Sequence, residues 1–542
     1  MTERKLIVLL YGAPIGSLAF DGGRIVFKYD GTPPHPLSLS LPTDVRNRHE
    51  GVRFKARHFS SLPHYFENLL PEGWLLDVAK SMKIEANDKL DYLYALCRDT
   101  LGAVSFAWNE SESLNSTLAD ALSASTNSTT TASSDSAIYK PDFPLFCLRC
   151  AKRLPHRGYN SGFHEACAQE FFGASQPPKL NVQRQNLREV AEEHLSRGES
   201  ITGSQEKFSL KYKIRDRTIM LPGFSYIVKP RQSEKEIHDL PRMEHVVMTF
   251  AAHLGLGVAE TAIVILADGT DAFITKRFDR TVNGGRIHVE DMSQATGEQR
   301  GSEGEYLGSM ELIAEQLSHP LVDEASATDS RRRLLQSTLF NFLFGNTDAH
   351  LKNHSIIWQK DANGRYRFNL APFYDLVPCR IYANDLNELG LKLDGKNSGF
   401  TAATFERFAE ERLHLRSAEV RKFVVHVKSE RGRLVELLEG YEIAGAQITK
   451  LMDLAGERIR RLDGRATKTA GHDKVAHESF AIDEPTKHPA LVPQSATDHA
   501  PANPGIDPTY CQSKICKNPK GRTVLKGTRR KSGFCSYCSP EV

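Results

Sequence analysis

The chain has 542 residues, of which 40% are hydrophobic and 25% are charged, and its formal net charge is +3. This ordinary globular composition excludes a fibrous or wholly disordered protein, and the balanced charge excludes a uniformly basic surface for nucleic acid or membranes. At roughly 100–200 residues per domain, the length predicts about three to five domains or subdomains. The apolar stretch 6–11 is far shorter than the ~20 residues of a transmembrane helix, so we expect a cytoplasmic protein without a membrane span.

Residues 1–109 predict a small α+β subdomain. Strand-like segments at 6–11, 15–20 and 24–29 form a hairpin pattern, with Asp21-Gly22-Gly23 as the second turn. Residues 62–107 have a helical pattern that breaks at 68–73.

Two segments predict flexible linkers. Within 110–140, the stretch 110–136 has 14 Ser or Thr among 27 residues and no aromatic residue. Such a segment buries too little apolar surface to offset its chain entropy. Residues 466–508 are rich in Ala, Thr, His, Pro and Asp without periodicity. These linkers delimit a Cys/His segment at 141–175, a large region at 195–465 and a basic tail at 509–542.

The region 195–465 begins with strands and continues with helices. Strand patterns occur at 208–214, 226–228, 262–266 and 272–275, with one helix at about 243–254. After about residue 303 the pattern is mostly helical, apart from a strand-like 355–358 and a loop at 369–378. This order predicts a two-lobed α+β arrangement, with an N-lobe at about 195–290 and a C-lobe at about 291–465.

The segment 345–353 carries the most informative pattern. It follows an apolar helical run, 334–344, which Gly345 could terminate, and it places Asp348 five residues before Asn353. An Asp can accept a proton from a substrate hydroxyl and an Asn oxygen can bind magnesium, and kinase catalytic loops use this spacing. Asp375, flanked by apolar residues, is a candidate second magnesium ligand. On spacing alone, an Asp348 that caps a helix or turn stays an open alternative.

Three upstream features follow the order of a kinase-like fold. Small and polar residues at 200–207 precede a strand and could bring backbone N–H groups to phosphates. Lys229, at a strand end, could reach phosphates, and Glu244 is its candidate ion-pair partner. Segment 273–280 could link the two lobes and meet an adenine. Taken alone, the first feature is more typical of an ordinary turn and the second of a solvated Lys at a strand end. The alternative for 273–280 is a plain edge strand with surface charges.

In combination these residues resemble the HipA family of toxin serine/threonine kinases, over about 6–107 and 195–465. The resemblance rests on Ser200-Ile201-x-Gly203-x-Gln205-Glu206-Lys207, Ile227-Val228-Lys229-Pro230, Arg277-Phe278-Asp279-Arg280, His288-x-Glu290-Asp291, Gly345-Asn346-Thr347-Asp348-x-His350-x-Lys352-Asn353, Tyr374-Asp375-Leu376, Phe66-Glu67-Asn68-Leu69-Leu70-Pro71-Glu72-Gly73 and Gly102-Ala103-Val104.

The resemblance implies an ATP- and Mg²⁺-dependent kinase with Asp348 as catalytic base and Asn353 and Asp375 as magnesium ligands. The residues implied to bind ATP are Gly203, Ser204, Gln205, Glu206, Lys207 and Lys229, with adenine held by the backbone near Lys276 and Phe278. Ser200 would be an autophosphorylation site that silences the kinase, since a phosphate adds about −1.5 to −2 charge to its loop.

The implied partners are protein substrates, notably aminoacyl-tRNA synthetases, and a HipB-like DNA-binding antitoxin. The alternative function is a kinase-fold binding component of a toxin–antitoxin DNA-binding complex with little catalytic activity. The Ser/Thr linker, the Cys segment and the C-terminal extension depart from the family's common form.

Seven of the nine cysteines form two clusters that predict Zn²⁺ sites. Cys511, Cys516, Cys535 and Cys538 have the spacing C-x4-C-x18-C-x2-C, which suits tetrahedral zinc. Residues 511–542 contain eight Lys or Arg and one acidic residue, which predicts contact with nucleic acid or a basic face that docks protein. Reduced cysteines in a disordered tail are the alternative.

The other cluster provides the thiols of Cys147, Cys150 and Cys167, with His164 or His156 as a fourth ligand. A small packed motif with buried thiols is the alternative. Short HipA-like kinases carry a comparable segment ahead of the kinase lobe.

Taken together, these patterns and the resemblance predict an α+β fold. It is a two-lobed protein-kinase-like fold of the HipA type, with a small N-terminal α+β subdomain and small zinc-binding modules.

Overall fold

A computed structural model describes residues 4–21, 24–30, 32–43, 48–50, 62–82, 88–109, 145–198, 206–213, 218–220, 226–231, 237, 239–281, 285–297, 306–383 and 387–463. The predictions for Ser200, Gly203, Ser204 and Gln205, for both linkers, and for the tail with Cys511, Cys516, Cys535 and Cys538 lie outside these residues. Within the described part, no helix is both long and apolar enough to cross a membrane.

The N-terminal subdomain is an antiparallel sheet covered by helices. Its strands are Lys5–Leu10 (β1), Ala13–Asp21 (β2), Arg24–Tyr29 (β3), Arg48–Glu50 (β4) and Val104–Trp108 (β5), in the order β4-β3-β2-β1-β5. Its helices are His64–Glu67 (α1), Gly73–Ser81 (α2) and Lys89–Leu96 (α3). Alternate residues of β1, namely Leu6, Val8 and Leu10, are buried, as expected for a half-buried strand.

The three predicted N-terminal strands are confirmed, but the helical prediction for 62–107 is wrong at its end. Residues 104–107 belong to β5, where Phe106 pairs with Val8. The cause is tertiary: pairing with β1 decides the conformation of a short apolar segment that periodicity alone cannot assign.

Residues 145–198 connect the subdomain to the kinase-like lobes. They form the 3₁₀ turns Tyr159–Gly162 and Arg184–Asn186 and the helices Glu165–Phe172 (α4) and Leu187–Ser196 (α5). Phe171 and Phe172 of α4 are buried in the large core of the two lobes. Ala191 and Leu195 of α5 are buried in the core of the N-terminal subdomain. The segment therefore contributes side chains to both hydrophobic cores.

The N-lobe is a five-stranded antiparallel sheet with one helix against it. The strands are Phe208–Lys213 (β6), Thr218–Met220 (β7), Tyr226–Pro230 (β8), Thr261–Ile265 (β9) and Asp271–Lys276 (β10), in the order β7-β6-β8-β10-β9. The helix is Leu240–His253 (α6), in which Pro241 occupies the first turn, where a missing N–H costs no hydrogen bond. Strands β6, β8, β9 and β10 and the helix agree with the predictions to within a few residues, whereas β7 was not predicted.

The C-lobe is mostly helical, with a small sheet at the lobe boundary. Its helices are Met292–Thr296 (α7), Met310–Gln316 (α8), Glu324–Phe344 (α9), Ala402–Arg407 (α10), Ala418–Ser429 (α11), Arg431–Gly440 (α12) and Gly445–Leu462 (α13), with a π-helical turn at Phe408–Arg412 and 3₁₀ turns at Leu351–Asn353 and Cys379–Ile381. The sheet, in the order β11-β12-β13, consists of Val289–Asp291 (β11), Ser355–Lys360 (β12) and Tyr366–Leu370 (β13).

The loop predicted at 369–378 begins later than expected. Asn369 and Leu370 continue β13, because Leu370 pairs with Ile356 and Asn369 pairs with Ile357. The rest of that segment lies between β13 and the turn Cys379–Ile381, and it includes Asp375.

Candidate active site

Lys229 lies at the centre of a buried ion-pair cluster. It is on β8, opposite Phe273 of β10, and its side chain is 12% exposed. Its Nζ donates to Oε1 of Glu244 on α6 at 2.8 Å and to Oδ1 of Asp375 at 2.5 Å. The predicted Lys229–Glu244 ion pair is therefore confirmed. The contact with Asp375, 146 residues away, joins the N-lobe to the C-lobe.

The two carboxylates of this cluster differ in pKa. Burial raises the pKa of Glu244 to about 7, although the Lys229 charge acts in the opposite direction. Burial would also raise the pKa of Asp375, but the charges of Lys229 and then Lys207 lower it to about 2. Burial favours a neutral Lys229, yet Asp375 and Glu244 together raise its pKa above the ordinary value. At neutral pH, Asp375 is therefore the carboxylate that fully neutralises the Lys229 ammonium.

The described end of the predicted phosphate loop lies beside this cluster. Burial lowers the pKa of Lys207, and the charge of Lys229 lowers it further, so the two ammonium groups lie in one electrostatic neighbourhood. The Asp375 carboxylate is in the same neighbourhood. Two ammonium groups beside Asp375 and the partly protonated Glu244 suit the phosphates of a nucleotide.

The loop that carries Asp348 begins at a helix end that requires glycine. Helix α9 ends at Phe344, and Gly345 adopts φ +72° in the left-handed region. A Cβ at Gly345 would lie 2.6 Å from the Arg380 Cβ and 2.8 Å from a Leu454 methyl carbon. Glycine is favoured there by both backbone conformation and space. The sequence prediction that Gly345 ends the helix is confirmed.

Asn346 ties the Asp348 loop to the Asp375 segment. Its Nδ2 donates to the backbone oxygen of Asp375 at 3.2 Å, and its Oδ1 accepts from the backbone N–H of Asp348 at 3.3 Å. Sequence reasoning gave Asn346 no role. Its sequence signals were its position directly after the helix-terminating Gly345 and its place in the motif 345–353.

Asp348 and Asp375 lie near the same thiol, that of Cys379. Burial, followed by the charges of Asp348 and Asp375, raises the pKa of Cys379 to about 12. The Asp348 carboxylate also accepts a hydrogen bond from the hydroxyl of Tyr306, whose ring packs edge-on against His350 at 5.1 Å. The structure thus brings the predicted base and the predicted magnesium ligand together, and it adds Tyr306, which the sequence did not indicate.

Asn353 lies in the 3₁₀ turn Leu351–Asn353 and is 5% exposed. Its Nδ2 is buried and has no hydrogen-bond partner among the described residues. Tyr374 fixes this turn next to Asp375, because its hydroxyl donates to the Lys352 backbone oxygen at 2.6 Å. Asp375 itself adopts φ +61°, an uncommon conformation for a non-glycine residue and one that clusters at functional sites.

The chemistry of Asp375 and Asn353 fits a magnesium ion. Asp375 is ionised at neutral pH, and the amide oxygen of Asn353 belongs to the turn that Tyr374 fixes beside Asp375. Carboxylate and amide oxygens are ligands that Mg²⁺ accepts, together with phosphate oxygens.

Lys276 and Phe278, predicted near the adenine, flank the end of β10. The Lys276 N–H donates to the Glu260 backbone oxygen at 2.9 Å, and its Nζ lies 3.5 Å from the Glu260 carboxylate. The ring of Phe278 lies 5.8 Å from that of Tyr374, which places it beside the Asp375 segment.

The motif 277–280 docks the N-terminal subdomain. Asp279 is 1% exposed and accepts from Arg277 Nη2 at 2.7 Å and Arg280 Nη1 at 2.6 Å. It also accepts from the backbone N–H of Gly102 at 2.9 Å. The two arginines in turn donate to the Thr100 backbone oxygen, at 3.1 and 2.9 Å. These charges are therefore buried between the subdomain and the kinase core, and the alternative of an edge strand with surface charges is wrong for 277–280.

A second contact joins the subdomain to the Asp348 loop itself. Lys352 Nζ donates to Glu72 Oε2 at 2.5 Å, and the Lys352 side chain is only 7% exposed. Glu290 accepts from Leu39 N–H at 3.4 Å and from Trp358 Nε1 at 3.2 Å, and burial raises its pKa to about 8. Glu72, Lys352 and Glu290 all belong to motifs on which the family resemblance rests.

The cysteines at 147, 150 and 167 lie close together with one of their two candidate histidines. One ligand atom each from Cys147, Cys150, His164 and Cys167 lies within 4.8 Å of the others. His156 is instead exposed, and its Nδ1 lies 3.0 Å from the Arg157 backbone oxygen.

Comparisons with known proteins identify the family of this chain. The model of the HipA N-terminal domain matches residues 6–107, and the model of the HipA-like C-terminal domain matches residues 199–432. The chain therefore belongs to the HipA family, as its sequence motifs predicted.

Two curated relatives show how low the sequence identity to named proteins is. A Haemophilus influenzae protein named "Putative kinase" is 29% identical over 246 residues, 44% of this chain and 68% of the relative. The protein named "Serine/threonine-protein kinase toxin HipA" of Shewanella oneidensis is 27% identical over 218 residues, 36% of this chain and 46% of the relative. For this toxin and two Sinorhizobium fredii relatives, the match spans about half of the relative's length.

A solved structure confirms the fold. A chain of the Shewanella oneidensis MR-1 toxin–antitoxin complex of HipA, HipB and operator DNA superposes with a TM-score of 0.54 and 20% identity. The match covers 85% of this chain and 97% of that chain. The predicted α+β fold of the HipA type is thus confirmed.

Proposed function

We propose that this chain is a protein serine/threonine kinase that transfers the γ-phosphate of ATP in a Mg²⁺-dependent reaction. The observation that carries the proposal is Lys229 Nζ, held between Glu244 on α6 at 2.8 Å and Asp375 at 2.5 Å. Kinases use a strand lysine paired with a helix glutamate, together with a metal-binding aspartate, to hold ATP phosphates.

The remaining roles follow from position and charge. Lys229 and Lys207 would neutralise phosphate charge, and Asp375 and Asn353 would hold Mg²⁺. Magnesium-bound ATP supplies the phosphoryl group and the cation that offsets its charge in transfer. Asp348 would accept the proton of the attacking hydroxyl. In support, its carboxylate already accepts a hydrogen bond from one hydroxyl, that of Tyr306.

Substrate and partner are inferred from the family. Aminoacyl-tRNA synthetases are the proposed substrate class, Ser200 the proposed self-phosphorylation site, and a HipB-like DNA-binding protein the proposed partner. The solved relative comes from a complex that contains HipB and operator DNA, which supports this partner.

The test is the transfer of radiolabelled γ-phosphate from ATP to protein by the full chain, with and without Mg²⁺. We expect transfer by the wild type only with Mg²⁺, and its loss in Asp375→Asn, because the amide does not carry the negative charge that holds the cation. Asp453→Asn is the matched control, since Asp453 is exposed on α13. Equal transfer by Asp375→Asn and Asp453→Asn would contradict the proposed role of the site.

A further inference from the structure

The Cys/His cluster has the geometry of a metal site. Cys150 Sγ lies 3.5 Å and Cys167 Sγ lies 3.9 Å from Nδ1 of His164. In tetrahedral zinc, Zn–S bonds of about 2.3 Å and Zn–N bonds of about 2.0 Å separate neighbouring ligand atoms by roughly 3.5–3.8 Å. The two observed separations are close to that range, and Cys147 completes a set of four within 4.8 Å.

The orientation of His164 supports ligation through Nδ1. Its Nε2 lies 3.1 Å from the backbone oxygen of Arg153, and a carbonyl oxygen only accepts, so Nε2 carries the proton. The lone pair of Nδ1 then faces the thiols. Histidines that bind metals donate their other ring N–H to a carbonyl or carboxylate in this way.

The backbone between the first two cysteines is shaped as a tight loop. Cys147 N–H donates to the Lys152 oxygen at 2.8 Å, and Ala151 N–H donates to the Cys147 oxygen at 3.0 Å. Ala151 adopts φ +59°, which turns the chain sharply after Cys150. The loop therefore directs both thiols toward the same point as His164 and Cys167.

The same loop supports the helix that carries Glu244. The next residue on α6, His245, lies with Nε2 3.2 Å from the Arg149 oxygen and 2.7 Å from the Tyr441 hydroxyl. The Tyr441 hydroxyl donates to the Cys147 oxygen at 3.2 Å. The oxygen of Leu148 accepts from Ile263 N–H of β9 at 2.9 Å. Three consecutive carbonyls of the loop thus bond to α6, to β9 and to the C-lobe.

We infer that Cys147, Cys150, His164 and Cys167 bind one Zn²⁺, and that this zinc knuckle is a brace that positions α6, and with it Glu244, against Lys229. The metal fixes the loop whose carbonyls hold His245, Tyr441 and Ile263. The positioning role rests on the proposed kinase function, whereas the metal site does not.

The first test is metal content, measured by mass spectrometry on the purified full chain. Because the tail cysteines are a second candidate site, the background is the chain with Cys511→Ser and Cys516→Ser. We expect about one zinc per chain in this background, less than about a tenth of that after Cys150→Ser and Cys167→Ser are added, and no change after Cys97→Ser. Cys97 is buried in the N-terminal subdomain, away from the cluster. A background chain without zinc would overturn the metal site.

A second measurement covers the case in which Cys150→Ser and Cys167→Ser prevent folding. Cobalt replaces zinc in the background chain, and a tetrahedral thiolate site gives intense visible absorption bands. We expect these bands in the background chain and after Cys97→Ser. Their absence from the cobalt-loaded background chain would overturn the proposal.

The positioning role is tested by steady-state kinetics with ATP. Displacement of Glu244 and Lys229 should raise the KM for ATP several-fold in the Cys150→Ser and Cys167→Ser variant, with a lower kcat. Loss of folded protein alone would lower the apparent kcat and leave KM unchanged, and that result would overturn the brace. A wild-type chain that binds zinc but transfers no phosphate would contradict the kinase function and leave the metal site intact.

Discussion

Replacement of Lys229 by methionine tests the central ion-pair cluster. The substitution keeps an unbranched side chain of similar length but removes the ammonium that contacts Glu244 at 2.8 Å and Asp375 at 2.5 Å. The side chains of these carboxylates are 4% and 25% exposed. The variant therefore leaves two carboxyl groups close together and poorly solvated.

The expected cost follows from this burial. Removing one partner of a fully buried ion pair costs about 3–5 kcal/mol. Since Asp375 is partly exposed and Lys207 also lies in its field, we expect about 2–4 kcal/mol for Lys229→Met near pH 7. By comparison, Lys276→Met removes a surface contact of 3.5 Å to Glu260, for which about 0–1 kcal/mol is expected.

The destabilisation caused by Lys229→Met should also depend on pH. Glu244 has a pKa of about 7 beside Lys229, against an ordinary value of 4.5. Because the folded state holds a proton that the unfolded chain releases, the Glu244 contribution falls as pH rises from 4.5 and levels off above about 7. Without Lys229 the pKa of Glu244 rises further, so the fall continues above pH 7, by up to about 1.4 kcal/mol per pH unit.

The assay is urea denaturation of Lys229→Met, Lys276→Met and wild type between pH 6 and pH 9. We expect the destabilisation by Lys229→Met to grow with pH above about 7, and the added change Glu244→Gln to remove that growth. A cost no larger than that of Lys276→Met, or one independent of pH, would refute the assigned charge state of the cluster.

Three further substitutions test the contacts around the site. Asp279→Asn should cost about 3–5 kcal/mol in urea denaturation near pH 7, since its buried carboxylate neutralises two arginines. Burial would raise the pKa of Asp279, but the charges of the two arginines lower it below the ordinary value of 3.8. This contribution is therefore present above pH 3.8 and is lost as pH falls below it, and a cost under about 1 kcal/mol at neutral pH would refute the pairing. Glu290→Gln should flatten the fall in unfolding free energy between pH 4.5 and about 8 by up to about 1.4 kcal/mol per unit, and an unchanged slope would contradict its raised pKa. Glu72→Gln should weaken the contact with Lys352 by about 1–3 kcal/mol, seen as faster hydrogen exchange in 345–353, whereas unchanged exchange would show that the pair does not hold this loop.

The sequence predicted those site residues that could be recognised from local spacing or from the order of motifs along the chain. Asp348 and Asn353 share one loop, Gly345 ends the preceding helix as its conformational freedom implies, and the Lys229–Glu244 pair was expected from their order. Partners from distant segments could not be predicted. Tyr306 reaches Asp348 only through the packing of the C-lobe.

The burial of charged residues was the other feature that could not be predicted from the sequence. A run such as 277–280 suggests a solvated strand, because charged residues are seldom fully buried unless they are paired. Only the fold shows that Gly102 and Thr100 of another subdomain provide the missing hydrogen-bond partners. Short apolar segments such as 104–108 were ambiguous for a related reason, since pairing with β1 decides their conformation.

The most direct test of the proposed kinase is the site of phosphorylation. Wild type and Asp348→Asn are incubated with magnesium and ATP, and phosphate is located by mass spectrometry. We expect phosphate on Ser200 in the wild type and none in Asp348→Asn, because the amide cannot accept the proton of the attacking hydroxyl. Equal phosphorylation of both proteins, or a wild type that binds ATP yet transfers no phosphate to itself or to an aminoacyl-tRNA synthetase, would contradict it.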